Sequence, residues 1–219
     1  YTGTADTYIT WEHRNDNFSR EGKLLVKGDG VYASLIRFEL PDVLRGSTVY
    51  TATLELLTTY RDKNLPCLVG AHRVLRPWVA DQATWLNASD AEAWSAAGAA
   101  GPEDSDPTLL DEQQLSAANA WYQFNVTWAV QEWAADPTRN DGLLLKSGTS
   151  GAVTYNFASS EHSTPGYQPK LVVFYSRPAM ASVTAAGPTA TPKATRVHPI
   201  RPQPPLWLWS HYCRRCPEE

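Results

Sequence analysis

Cysteine and methionine are nearly missing from this chain, with three Cys and one Met in 219 residues. Cys67 stands alone in the main body, and Cys213 and Cys216 form a Cys-Arg-Arg-Cys pair with no second pair beside it. This excludes a disulfide-stapled body and gives no support to a closed zinc site, which needs four ligands. Charge is also sparse: charged residues make up 19% of the chain and the net charge is -4, with no basic run. No nucleic-acid partner is therefore expected. No apolar run is long enough to cross a bilayer, so no membrane insertion is expected either. The sequence lacks a Gly-x-Ser-x-Gly elbow, a His-Glu-x-x-His pair and a phosphate loop. We expect no enzyme, since a hydrolase or lyase would need two carboxylates or a Tyr–His pair to converge in a cleft. The chain starts at Tyr1 and its one methionine, Met180, is internal. It reads as an excised piece of a longer protein, so the lack of a signal peptide says nothing about export.

What is abundant is aromatic: nine Trp and ten Tyr against five Phe. Both residues join a large apolar surface to a polar handle, which suits sandwich cores and ligand platforms alike. Strand signals fill the body. Ser34–Leu40 alternates, with Leu35, Arg37 and Glu39 on one side and Ser34, Ile36, Phe38 and Leu40 on the other. Thr51–Thr58 also alternates, with Ala52, Leu54 and Leu56 on one face. Further strands are predicted near 6–9, 24–26, 68–74, 123–126, 142–146, 153–158 and 170–175, separated by Gly, Pro, Asn and Asp. The fold class expected is all-β, an antiparallel β-sandwich of jelly-roll type. One short helix is predicted over Thr127–Ala135, capped by Thr127, closed by Asp136-Pro137 and laid across an open end of the sandwich. The Ala-rich stretch 91–100 reads equally as a helical turn or a loop. Composition changes at Ser176. Residues 1–175 form the module, 176–205 a Pro/Thr-rich linker to other domains of the polypeptide, and 206–219 a short tail of unresolved role.

The body resembles the DNRLRE-domain family, which includes carbohydrate-binding module family ninety-six. The carriers are Asp6-Thr-Tyr-Ile9, Ser34-Leu-Ile-Arg-Phe-Glu-Leu-Pro41 and Ala52-Thr-Leu-Glu-Leu56. Arg73-Val-Leu-Arg-Pro-Trp78, Ala83-Thr-Trp85 and Trp94 with Gly98-Ala-Ala-Gly101 follow. Phe124-Asn-Val-Thr127, Val130-Gln-Glu-Trp133, Asn140-Asp-Gly-Leu-Leu-Leu145, Phe157-Ala-Ser-Ser-Glu161 and Pro169-Lys-Leu-Val-Val173 complete the order. The resemblance implies a jelly-roll module of secreted or surface proteins, so an extracellular or cell-surface location is expected. Some members bind acidic, uronate-rich polysaccharide. Their lysines on early strands and an arginine on the next strand correspond to Lys23, Lys27 and Arg37 here, and polar residues of the same face correspond to Asn140 and Asn156.

Those residue types suit such a ligand. Arginine can grip a carboxylate through two parallel bonds, and lysine offers a point charge. Trp11, set among Glu12, His13 and Arg14, is the best stacking platform in the sequence. A structural calcium is a further expectation, with Asp104 and Asp106 in an acidic loop and Asp6 and Glu161 meeting from opposite ends of the body. Asp111-Glu112 reads as a continuation of that loop. The alternative to glycan binding is a structural subunit that self-assembles by strand exchange, with Met180–Thr184 as the donated strand.

Overall fold

The computed structural model describes residues 4–148, 151 and 153–176; the linker, the tail and the Met180–Thr184 segment lie outside the described residues. Among the described residues, ten strands form two antiparallel sheets. The first sheet has the order β1 (Thr4–Thr10), β3 (Tyr32–Phe38), β8 (Leu143–Lys146), β5 (Cys67–Arg73), β6 (Asp111–Leu115). The second is built around β4 (Thr48–Arg61), which pairs with β7 (Ala120–Asn125), β9 (Thr154–Ala158) and β10 (Lys170–Ser176), and β2 (Lys23–Lys27) adds to β9. The expected β-sandwich is thus the observed fold.

The alternation read from the sequence decides what each sheet buries. Ile36 and Phe38 of β3 meet Leu54 and Leu56 of β4, Phe124, Tyr155 and Phe157 in the core between the sheets. The helix α1 (Thr127–Ala135) adds Val130 and Trp133 to that core, as their spacing predicts. Thr127 does not cap it, however. The N-cap is Val126, and the Thr127 hydroxyl oxygen instead accepts the Ala52 N–H at 2.9 Å, fastening the helix to β4.

The opposite face of β3 is not wet. Leu35 joins Ile9, Leu144, Trp78 and Trp94 in a second core, made by the long excursion between β5 and β6 folding over the first sheet. Residues 91–100 belong to this excursion and form turns without a helix. Asn17 fastens the excursion by donating to the Ala80 and Ala83 carbonyls at 2.7 and 2.8 Å. Gly98 has φ +81°, and a β-carbon there would lie 2.5 Å from the Trp85 ring, so this turn requires glycine on both counts. The Asp111–Leu115 segment is a strand and not the acidic loop expected. It pairs with β5 as an edge, buries only Leu115, and its polar residues suit an edge that must not recruit another chain.

Trp78 is buried in the second core and donates its indole N–H to the Asp141 carbonyl at 2.7 Å. Trp78→Ala is expected to cost about 3–5 kcal/mol, read as a lower denaturant midpoint in chemical unfolding.

Candidate functional site

In β2, Lys23, Leu25 and Lys27 alternate with Leu24 and Val26, which are fully buried. The β2–β9 register sets Ala158, Asn156 and Thr154 opposite Lys23, Leu25 and Lys27 in turn. Period two therefore places Asn156 on the lysines' side of the sheet and between them. The two lysine α-carbons are about 13 Å apart at strand rise. Across β9, Asn156 is also paired with Tyr60 of β4, whose ring is exposed.

The Lys27 end is finished by a turn. Thr10 ends β1, and its hydroxyl oxygen accepts the Glu12 N–H, starting a single 3-10 turn over Trp11–His13. Glu12 accepts from the Lys27 ammonium at 3.2 Å and from the Tyr32 hydroxyl at 2.5 Å. These two donors hold its carboxyl below the usual range. Burial alone would lower the Lys27 pKa, but Glu12 and Asp29, the latter at 3.4 Å, together hold it above the ordinary lysine value. Trp11, next to Glu12, is 55% exposed, and the Arg14 guanidinium lies 5.3 Å from its ring centre. Trp11 and Lys27 thus share one end of the module. Lys23 has Glu21 at 3.6 Å.

Arg37 is on β3 of the other sheet, and Asn140 lies in the connection before β8. Arg37 lies on the side covered by the excursion, 5.2 Å from the Trp78 ring centre, and donates to the Trp78 carbonyl at 3.2 Å. Asn140 donates to the Phe38 carbonyl at 2.9 Å. The set expected from the sequence therefore divides: Lys23, Lys27, Asn156 and Trp11 on one side, Arg37 and Asn140 on another. Tyr60, Tyr32 and Glu12 were not legible as members of the first group, because only register and folding of the turn bring them there.

The four acids proposed for calcium divide as well. Asp104 is fully buried and accepts the N–H groups of Ser95, Ala96 and Gly101 at 2.8–3.1 Å, with Arg76 Nε at 3.1 Å. Burial would raise its pKa, but these donors hold it below the usual range. Asp106 accepts from Arg73 at 2.8 Å and from the Thr108 N–H at 2.9 Å, and is lowered chiefly by Arg73. Calcium asks for six to eight oxygens. Oxygens already filled by N–H donors do not fit it, and among the described residues no three His, Cys, Asp or Glu converge on a cation position. Asp6 and Glu161 do meet, through Ser160. The Ser160 N–H donates to Asp6 at 2.8 Å, and its hydroxyl lies 3.2 Å from Asp6 and 2.7 Å from Glu161. Burial, with the Glu161 charge behind it, pushes the Asp6 carboxyl up to about 7.

Two antiparallel sheets with polar and aromatic side chains on their outer sides define, among the described residues, a β-sandwich without a deep cleft. The chain belongs to Carbohydrate-binding module family 96, whose family model matches residues 1–175. It is accordingly a carbohydrate-binding module. No curated protein matches the sequence. No helix among the described residues is long and apolar enough to cross a membrane.

Two outcomes follow from the geometry. Arg37→Ala should lower stability by about 1–3 kcal/mol through loss of its ring contact and hydrogen bond, while leaving carbohydrate binding unchanged; thermal melts and a binding isotherm check both. Because the folded Asp6 pKa stands above its unfolded value near 3.8, its stabilising form is the protonated one. Stability from this group is full below pH ~4 and lost as pH rises through about 7. Asp6→Asn should abolish that fall, leaving a melting temperature several degrees above the parent at pH ~8. A parent melting temperature that stays level from pH ~4 to ~8 would contradict this account of Asp6.

Proposed function

We propose that the β2–β9 side and the Trp11 turn receive an acidic, uronate-rich polysaccharide outside the cell. The observation that carries this reading is the register that sets Asn156 between Lys23 and Lys27. The lysines offset ligand carboxylates, Asn156 bonds hydroxyls, and Trp11, with Tyr60 on the neighbouring strand, offers a flat apolar ring to a sugar face. The charges that Lys23 and Lys27 already hold do not block this. Partly exposed ion pairs are worth about 0–1 kcal/mol, so a ligand carboxylate can replace Glu21, Glu12 or Asp29 at little cost. Arg37 and Asn140 take no direct part and position the sheet. Function as one module among other domains of a secreted or surface protein, without catalysis of its own, completes the reading. The assembly alternative rests on Met180–Thr184, outside the described residues.

The test is binding of a polyuronate to the full chain at low and high salt. Binding should weaken as salt rises, because exposed charge pairs are screened beyond about 10 Å at 0.1 M. The double variant Lys23→Gln with Lys27→Gln should lose about tenfold in affinity at low salt and most of the salt dependence. Equal affinity of parent and double variant at low salt would sink the reading.

A further inference from the structure

The β7 side of the same sheet carries a face built from different chemistry. β7 pairs with β4 so that Trp121, Gln123 and Asn125 lie opposite Leu57, Glu55 and Thr53. Leu54, Leu56 and Phe124 fill the core on the reverse side, so the alternating set faces outward. A hollow of about 240 Å³ opens there, lined by Thr51, Thr53, Asp111, Gln123, Asn125 and Thr127. Past Asn125 and Thr127, which line both, lies a second hollow of about 390 Å³ that includes Trp128 and Gln131.

The lining is preorganised. The Asn125 side-chain oxygen accepts the Thr127 N–H at 3.0 Å and the Thr127 hydroxyl at 2.7 Å. Gln131 accepts the Val49 N–H at 2.8 Å and donates to the Ser47 carbonyl at 3.3 Å. Gln123 donates to Glu55 at 2.8 Å. Asp111 takes the Asn125 N–H at 2.8 Å and the Gln113 amide at 3.0 Å. Trp128 is 51% exposed, yet its ring is held by the Arg73 guanidinium 4.1 Å from its centre, and Arg73 is itself buried and paired to Asp106. Trp128 shares its hollow with the apolar Val49 and Leu110 and with Asn125, Thr127 and Gln131, so a half-exposed indole held by Arg73 stands beside hydrogen-bonding groups.

Charge chooses the occupant. Neither hollow is lined by Lys or Arg, and Asp111 lines the first with Glu55 beside it. No cation lines either hollow for a polyanion to grip, and Glu55 is already matched by Lys170 on β10, so an uncharged chain suits the groove. Its hydroxyls and amides are both donors and acceptors, the match for sugar hydroxyls, which also need both. The hydroxyls of Thr51 and Thr53 and the Asn125 amide nitrogen have no hydrogen-bond partner among the described residues, and they are open to a ligand.

We propose that this groove is a second glycan site, for a neutral oligosaccharide, with Trp128 as stacking platform and Thr51, Thr53, Gln123 and Asn125 as hydrogen-bonding partners. It rests on membership of a carbohydrate-binding family and not on the acidic reading of the β2 side.

The test titrates the full chain with cellohexaose, xylohexaose, mannohexaose and a polyuronate, following heat and tryptophan fluorescence at low and high salt. At least one neutral hexasaccharide should bind with little salt dependence. Trp128→Ala and, separately, the exposed Gln123→Ala should each weaken it about tenfold, while Lys23→Gln with Lys27→Gln leaves it unchanged. Gln123→Ala guards against a Trp128 variant that fails to fold. No binding of any neutral hexasaccharide, or binding that both groove variants leave intact, overturns the proposal. The polyuronate arm reports on the β2 side independently.

Discussion

The structure depends on one long strand. β4 runs through Thr48–Arg61 and is paired along both edges: Glu55 is matched at once to Lys170 of β10 and Gln123 of β7, and Thr58 to Ala120 of β7 and Phe157 of β9. Because side chains alternate with period two, this double register decides the face of every residue on four strands. A slip of one residue would bring Thr53 and Glu55 into the core and turn Leu54 and Leu56 out to water. It would also dismantle both faces at once, since Asn156 reaches its place through Tyr60 and Asn125 through Thr53.

The first sheet obeys a second constraint, coverage on both faces. An antiparallel sheet in a sandwich commonly keeps one face wet. Here the 74–110 excursion lays Trp78 and Trp94 over Leu35 and Leu144. That explains an arginine between apolar neighbours on β3. Arg37 reaches the rim of this cover, where the Trp78 ring takes its charge and the Trp78 carbonyl its N–H. The same cover contains the most firmly held carboxylate, Asp104, which ties the loop 95–101 to Arg76. Asp104 and Asp106, which looked like cation ligands, are therefore internal fasteners of the excursion.

Two regions on the outer side of the second sheet differ in charge. Lysines flank an asparagine on β2–β9, and their present partners are partly exposed carboxylates. The groove beside β7 offers amides, hydroxyls and a carboxylate under a fixed indole. If both proposed sites bind as argued, one small sandwich presents a salt-sensitive surface and a salt-indifferent one without a deep cleft.

Local pattern carried much of this. Alternation in Ser34–Phe38 and Ala52–Leu56 and the spacing of Val130 and Trp133 identified strands, helix and inner core, because burial on one face is written into period and composition. The ordered motifs carried the family. Trp11 and Lys27 were legible as candidates, being an exposed type among charges and a basic strand end. Asp111–Leu115 was missed because an edge strand with one buried residue has no apolar period to show. The separation of Arg37 from Lys23 and Lys27 was also out of reach, since neighbouring strands in sequence lie in different sheets. So was the groove at Thr53, Gln123, Asn125 and Trp128, drawn from residues up to 75 apart. The sequence by itself determined the inward-facing residues of the alternating strands, such as Ile36, Phe38, Leu54 and Leu56, since that needs only local alternation. Which outward residues meet was decided by the tertiary structure alone, because pairing register and the path of the 74–110 excursion are set by contacts between segments far apart in the chain.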